Sequence, residues 1–141
     1  MKLEEIFVTK FRIAESGKRI ITVDAKVNGK GPFNFVVDTG ASHTIISTTT
    51  AEKLGLDTSS PGCCGSTTGR SAQGAGGPVA ARAATVESVE VGDIEVKNVE
   101  VALIDLTSLD KDWDGIIGYT FMKNFKVTID YPKQDIQFEK S

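Results

Sequence analysis

The fold of this chain is decided by one stretch, Phe33-Asn34-Phe35-Val36-Val37-Asp38-Thr39-Gly40-Ala41-Ser42. Its first half is apolar and predicts a mostly buried strand, which ends abruptly at the carboxylate of Asp38. Gly40 allows the chain to turn there, because glycine adopts backbone angles that other residues resist. A carboxylate at the exit of a buried strand costs free energy unless it is hydrogen-bonded, paired or used in chemistry. The stretch therefore marks Asp38 as the leading candidate for a functional residue.

A second stretch near the end of the chain supports the first. It reads Asp114-Gly115-Ile116-Ile117-Gly118, and the residues that follow, Tyr119 to Asn124, predict a short helix. Together the two stretches resemble the retropepsin-like, or retroviral-type, aspartic proteases. In that family hydrophobic-hydrophobic-Asp-Thr-Gly-Ala-Ser carries the catalytic aspartate, and a hydrophobic-hydrophobic-Gly strand passes through the loop around it. The resemblance covers roughly residues 20 to 138, which is nearly the whole chain.

The resemblance implies an all-β fold with two short helices. The expected architecture is a single-domain acid-protease barrel over residues 1–141 with a glycine-rich flap. The implied activity is that of an aspartic endopeptidase that acts on peptides or proteins without a metal or another cofactor.

The same resemblance gives roles to the residues around the catalytic Asp38. The Thr39 hydroxyl would hydrogen-bond across a dimer to the partner's loop, and the Gly40 N–H would donate to the carboxylates. Ala41 and Ser42 would line the near wall of the cleft. Gly118 would leave room for the strand that passes through the loop.

Alternating apolar residues predict further strands along the chain. Ile21 to Val27 alternates cleanly, and Asn28 to Pro32 predicts a tight reversal into the Asp38 strand. After the loop we expect a short strand, then a short helix capped by Ser47 and stopped by Gly55. Two later hairpins are expected, one turning at Gly92-Asp93 and one at Pro132-Lys133.

Residues 61–78 are small, polar and glycine-rich, so they bury too little surface to order themselves. By resemblance they lie where the flap of a retropepsin-like protease falls, and a passive loop is the alternative. Substrate contacts are expected at Gly74, Ala75 and Gly76 in the flap and at Ile117 in the wall. The segment lacks an aromatic residue, unlike the flap of the two-domain pepsins, so the sequence leaves the flap tip unassigned.

Cys63 and Cys64 lie within the same segment. Adjacent cysteines rarely bond to each other without strain. Two loop thiols are the simplest interpretation, and an intersubunit disulfide or a redox role is the alternative.

Composition excludes several classes of function. The chain has 141 residues, 40% of them hydrophobic, and a net charge of −3. This composition is typical of an ordinary soluble protein and gives no electrostatic case for binding nucleic acid. No apolar run approaches the ~20 residues of a membrane span, and no signal peptide is visible. The sequence leaves the location open between the cytoplasm and a soluble domain excised from a secreted or anchored precursor, which would look the same. The single histidine, His43, excludes a His-rich zinc site.

Hydrolysis by carboxyl groups requires two of them, because one takes the proton of a water while the other polarises the substrate. The chain has one Asp-Thr-Gly and no long internal repeat. We therefore expect a homodimer in which the two Asp38 side chains meet at the two-fold axis. By resemblance, a terminal strand would join an intersubunit sheet, and either Ile136 to Glu139 or Met1 to Val8 fits.

Several alternatives stay open. Asp38 as a structural turn residue would make the protein a non-catalytic peptide-binding or dimerisation module with the same fold. Asp114 is expected to be a turn residue rather than a second catalytic carboxylate. A triad containing Ser42 and His43 is disfavoured, because adjacent side chains on an extended segment point in opposite directions.

Overall fold

The computed structural model describes residues 5–13, 20–56, 70–74, 77–109 and 112–140, with the backbone alone at residues 5, 70–74 and 77–81. Within these residues the elements are, in chain order, β1 Glu5–Lys10, β2 Arg12–Ile13, β3 Ile21–Val27, β4 Lys30–Val37, β5 Thr44–Ser47, α1 Thr48–Lys53, β6 Arg70–Gly74, β7 Gly77–Val91, β8 Ile94–Ile104, β9 Gly115–Ile117, α2 Tyr119–Met122, β10 Lys126–Asp130 and β11 Asp135–Lys140. The all-β expectation with two short helices is confirmed.

The larger sheet closes into a barrel. Its described strands run in the order β2-β3-β4-β9-β5-β8-β7-β6, and β3 also pairs with β7. That extra pairing aligns Ala25 with Val91 and Val27 with Val89, so the sheet curls back onto itself. Closure leaves most strands without a free edge, which removes sites of unwanted strand pairing.

Short β9 lies between β4 and β5, the two strands that flank the Asp38 loop. It runs parallel to β4, with Val37 opposite Ile117, and antiparallel to β5, with Ile45 opposite Ile116. Strand β9 therefore reaches the region of the Asp38 loop, as predicted, by pairing its backbone with β4 on one side and with β5 on the other. Both ends of the Asp38 loop are fixed to the same three-residue strand.

One turn and one helix differ from their predicted bounds. The reversal after β3 is confined to Asn28 and Gly29, both with positive φ, and β4 already begins at Lys30. Such φ values suit a two-residue hairpin turn. Helix α2 ends at Met122, two residues before the predicted end, because Lys123 already caps it.

The core has two parts. Buried aliphatic and aromatic side chains such as Phe35, Ile46 and Phe121 fill the barrel. A smaller cluster packs on the other face of β4 and β9 and contains Val36, Ile104, Leu106, Trp113 and Ile116. Full burial of a large apolar side chain contributes about 1.5–3 kcal/mol, so burial on both faces fixes the strand that leads to Asp38.

A second sheet of three strands has the order β1-β11-β10. Three aromatic rings join it to α2, with centroid distances of 5.8 Å from Phe121 to Phe138 and 5.6 Å from Phe125 to Phe138. Because β11 is the middle strand, both of its edges are occupied by its own chain. The suggestion that Ile136 to Glu139 pairs with a second subunit is therefore wrong for this conformation.

No helix among the described residues combines the length and apolar character that crossing a membrane requires.

Candidate active site

The Asp38 carboxylate lies exposed at the end of β4 and is oriented by backbone groups. Its own N–H donates to the Ile117 carbonyl over 3.1 Å, which continues the β4–β9 pairing by one residue. The Gly40 N–H donates to Asp38 Oδ1 at 2.8 Å, and the Ala41 N–H donates to the Asp38 carbonyl at 3.1 Å. Among the described residues, Asp38 Oδ2 has no hydrogen-bond partner. One carboxylate oxygen is thus held by the loop.

The underside of the loop rests on Gly118. A Cβ at this position would overlap the carbonyl oxygen of His43 and lie 2.7 Å from its carbonyl carbon, so only glycine fits. The next N–H, that of Tyr119, donates to the Ala41 carbonyl at 2.9 Å. The start of α2 therefore holds the loop in place through direct backbone contact.

Buried threonines complete this junction. The Thr44 N–H donates to Thr120 Oγ1 at 3.0 Å, and that hydroxyl donates to the Glu100 carbonyl at 2.6 Å. The Gly118 N–H reaches Thr44 Oγ1 at 3.3 Å. Burying polar groups is favourable only when they are paired, so these hydroxyls satisfy backbone groups that the sheet leaves open. The sequence did not predict the role of these threonines, because threonine is common in strands and its pattern does not show whether its hydroxyl is buried and hydrogen-bonded.

Asp114 is not the turn residue that the sequence predicted. Its Oδ2 accepts the Asn34 N–H at 2.8 Å, and its Oδ1 accepts the Thr50 hydroxyl at 3.3 Å. Its backbone bonds Asn34 and Ser47, at 2.8 and 2.9 Å. One side chain thereby connects β4, which leads to Asp38, with α1, which follows the loop. All of its described bonds are structural, and they leave Asp114 no role as a second catalytic carboxylate.

Replacing Asp114 with Ala is expected to lower the free energy of unfolding by about 2–3 kcal/mol, because two hydrogen bonds to a carboxylate are lost and their donors stay partly buried. Urea denaturation measures the change. Asp93→Ala, at the exposed turn between β7 and β8, is the matched control and should change stability by less than about 0.5 kcal/mol. Equal effects of the two substitutions would contradict the connecting role.

Ser42 and His43 do hydrogen-bond, with Ser42 Oγ and His43 Nδ1 3.2 Å apart. The prediction that they point in opposite directions is wrong, because the chain bends at both residues instead of extending. Both are exposed, and within the described ranges no carboxylate bonds the imidazole. The pair lacks the third member that a catalytic triad needs.

The other predicted site residues lie as follows. Thr39 is exposed, and its hydroxyl has no partner within the described part of the chain. Ala41 is half-buried against the smaller core cluster. Ile117 is fully buried in the barrel core, so it does not line the cleft as predicted.

The predicted flap loop, residues 61–78, is only partly described. Residues 57–69, with Cys63 and Cys64, and residues 75–76, Ala75 and Gly76, lie outside the described ranges. Where the chain is described, the segment is paired rather than irregular: β6 runs antiparallel to β7, with Gly74 opposite Gly77.

Comparison with known proteins agrees with this geometry. A family model described as aspartyl protease matches residues 23–121. The fold is similar to that of a retropepsin-like aspartic protease from Rickettsia conorii, with 23% sequence identity, a TM-score of 0.67, and coverage of 99% of this chain and 95% of that one. It is also similar to the retroviral protease-like domain of Ddi1 from Leishmania major, with 22% identity, a TM-score of 0.51, and coverage of 80% and 82%. No curated protein sequence matches.

Proposed function

This chain belongs to the aspartyl protease family, and we propose that it is an aspartic endopeptidase that works as a homodimer. In this proposal a water molecule is activated by two Asp38 carboxyls, one from each subunit. The observation that carries it is the exposed Asp38 carboxylate, which the Gly40 N–H holds at 2.8 Å.

In this proposal the second carboxyl comes from another chain. Asp114 is the aspartate that the second sequence motif offers, and its side chain is engaged with Asn34 and Thr50. Two Asp38 side chains brought together cannot both ionise, because like charges at that distance repel. The pair therefore shares one proton.

Each member of the pair then has a task. The ionised carboxylate takes a proton from the water whose oxygen attacks the peptide carbonyl carbon. The protonated carboxyl donates to the carbonyl oxygen and so stabilises the negative charge that develops there. When the tetrahedral intermediate collapses, the peptide C–N bond breaks, the leaving amine takes up the proton that came from the water, and the proton on the former carbonyl oxygen returns to the carboxyl pair. Because the shared proton is required, activity should favour acidic or mildly acidic pH.

Neighbouring residues support this arrangement. The Thr39 hydroxyl, which has no partner among the residues that the structure describes, is suited to bond the partner's loop. Ser42 and Ala41 form the wall beside Asp38. An extended peptide would lie between this floor and the flap, where strand-like hydrogen bonding holds its backbone. The natural substrate is proposed only as a peptide or unfolded protein segment.

Cleavage of unfolded casein from pH 3 to pH 8 tests the proposal. We expect cleavage in the acidic part of this range and inhibition by a pepstatin-like transition-state mimic, since such compounds bind far more tightly than substrates. Asp38→Ala should remove the activity. Absence of cleavage over the whole range, or cleavage that survives this substitution, would leave the non-catalytic peptide-binding module as the better account.

A further inference from the structure

We propose that His43 is a specificity-determining residue, whose imidazole binds a carboxylate side chain of the substrate near the bond that is cut. The inference rests on the proposed function and names the substrate class: extended peptides with an aspartate or glutamate close to the cleavage site. His43 lies five residues after Asp38, and the mechanism above does not use it. Its side chain is exposed at the end of the Asp38 loop.

The backbone of His43 is held firmly in place. Its carbonyl group packs against Gly118, where a Cβ would lie 2.7 Å from the carbonyl carbon. The next residue is anchored as well, because the Thr44 N–H donates to the buried Thr120 hydroxyl at 3.0 Å. An exposed side chain on a fixed backbone suits recognition, since little conformational freedom is lost when a ligand binds.

Ser42 orients the imidazole. Ser42 Oγ and His43 Nδ1 are 3.2 Å apart, so one ring nitrogen is engaged, and the ring lies beside a residue that forms the cleft wall in the proposed function. An imidazole gains a proton in acidic solution, and both of its nitrogens then donate. With Nδ1 donating to Ser42, Nε2 is the charged donor left for the substrate.

Neighbouring charged groups leave this donor available. Titratable side chains near His43 are those of Asp38 on the same loop, Tyr119 at the start of α2, and Glu100, whose carbonyl accepts the Thr120 hydroxyl. Among the residues that the structure describes, none of these three side chains bonds the imidazole, and Nε2 has no hydrogen-bond partner. A substrate carboxylate supplies the acceptor and the opposite charge that the ring lacks.

The position of His43 limits how far the recognised side chain lies from the bond that is cut. Five residues of fully extended chain span at most about 16–18 Å, and the bend at Ser42 and His43 shortens this distance. A substrate bound as a strand advances about 3.3 Å per residue. The recognised carboxylate is therefore within about five residues of the cleavage site.

Two matched sets of peptides test this recognition. The first set covers unphosphorylated casein in overlapping peptides with amidated C-termini, so that only side chains carry carboxylates. The second set has Asn and Gln in place of Asp and Glu. Fluorescence anisotropy measures binding to the Asp38→Asn protein, and mass spectrometry measures cleavage by the wild type. Both are measured at about pH 5, where free carboxylates are mostly ionised and free imidazole is mostly charged.

We expect the acidic peptides that bind best to bind about threefold to fivefold more tightly than their amide counterparts, which is the range of an exposed charge pair. Cleavage by the wild type should show the same preference, with the acidic residue within about five positions of the cut. Raising the salt concentration to about 1 M should reduce the ratio, because salt screens exposed charges.

Three variants separate the charge of His43 from its structural contacts. His43→Gln keeps a polar side chain beside Ser42 and removes the charge, so the ratio should fall to about one. His43→Lys retains a charge and should retain the preference for acidic peptides. Lys26→Gln is the control, because it removes a positive charge from an exposed position on β3 and should leave the ratio unchanged.

Four results would each overturn the role of His43: no preference for the acidic peptides, a preference that survives His43→Gln, a preference lost in His43→Lys, or a preference lost in Lys26→Gln. The proposed function is judged separately by cleavage. Cleavage without an acidic preference would support the protease and reject the role of His43. An acidic preference in binding, with no cleavage of either peptide set, would support the role of His43 and reject the protease.

Discussion

Replacing Asp38 with Asn is expected to lower kcat/KM for peptide cleavage at least about 10³-fold while leaving the fold intact. Asparagine cannot ionise, so it neither takes the proton of water nor shares one with the partner. Its carbonyl oxygen still accepts the Gly40 N–H, and the side chain is exposed, so the unfolding midpoint should not change. A fluorogenic peptide gives the rate, and thermal unfolding verifies the fold.

Mixing wild type with the Asp38→Asn variant then tests whether the centre is shared. After full subunit exchange at equal amounts, about one quarter of the dimers carry two aspartates. Activity per wild-type chain should therefore fall to about half of its value without the variant, at the same total protein concentration. Activity that stays proportional to the wild-type chain alone would mean that each subunit works independently, which contradicts the paired mechanism.

Gly118→Val is expected to destabilise the protein by about 3 kcal/mol or more, because the new side chain would occupy the space of the His43 carbonyl. The loop and α2 would have to separate, and the Tyr119–Ala41 hydrogen bond would be lost with them. Urea denaturation measures the loss, and any variant that still folds should show reduced cleavage.

Gly29→Asn is the control for this substitution. Gly29 has φ of +78° and no atom within 4 Å of an added Cβ. A side chain therefore fits at this position, and only the backbone conformation favours glycine. Asparagine tolerates this conformation better than other non-glycine residues, and the change should cost less than about 1 kcal/mol. If Gly118→Val were equally mild, the tight contact beneath the loop would not be needed.

Local patterns predicted most of the individual elements. Alternation gave β3, the long β7–β8 hairpin and the closing hairpin of β10 and β11, because each of these pairs strands that are adjacent in sequence. The exit of β4 at Asp38 and the cap of α1 at Ser47 also follow from short-range chemistry. The family resemblance added the barrel, which the pattern of apolar residues does not specify.

Long-range pairing could not be predicted in the same way. The alternation of apolar residues does not reveal that β11 lies between β1 and β10. One of the two segments predicted to pair with a second subunit, Ile136 to Glu139, therefore lies in a strand that has no free edge. An Asp-Gly pair on its own indicates a turn. The role of Asp114 could not be predicted from it, because that role depends on Asn34, which is 80 residues away in the sequence. Burial of Ile117 and the bend at Ser42 and His43 likewise depend on how distant strands meet.

The central place of β11 also has a consequence for biosynthesis. Glu5 is aligned with Lys140, and Lys10 with Asp135, so β1 has no neighbour among the described strands of its sheet until β11 has been made. Contacts this distant in sequence form late, because the whole intervening chain has to be ordered first. A nascent chain on the ribosome therefore lacks the finished sheet, and the subunit can complete this sheet only after translation has passed residue 140.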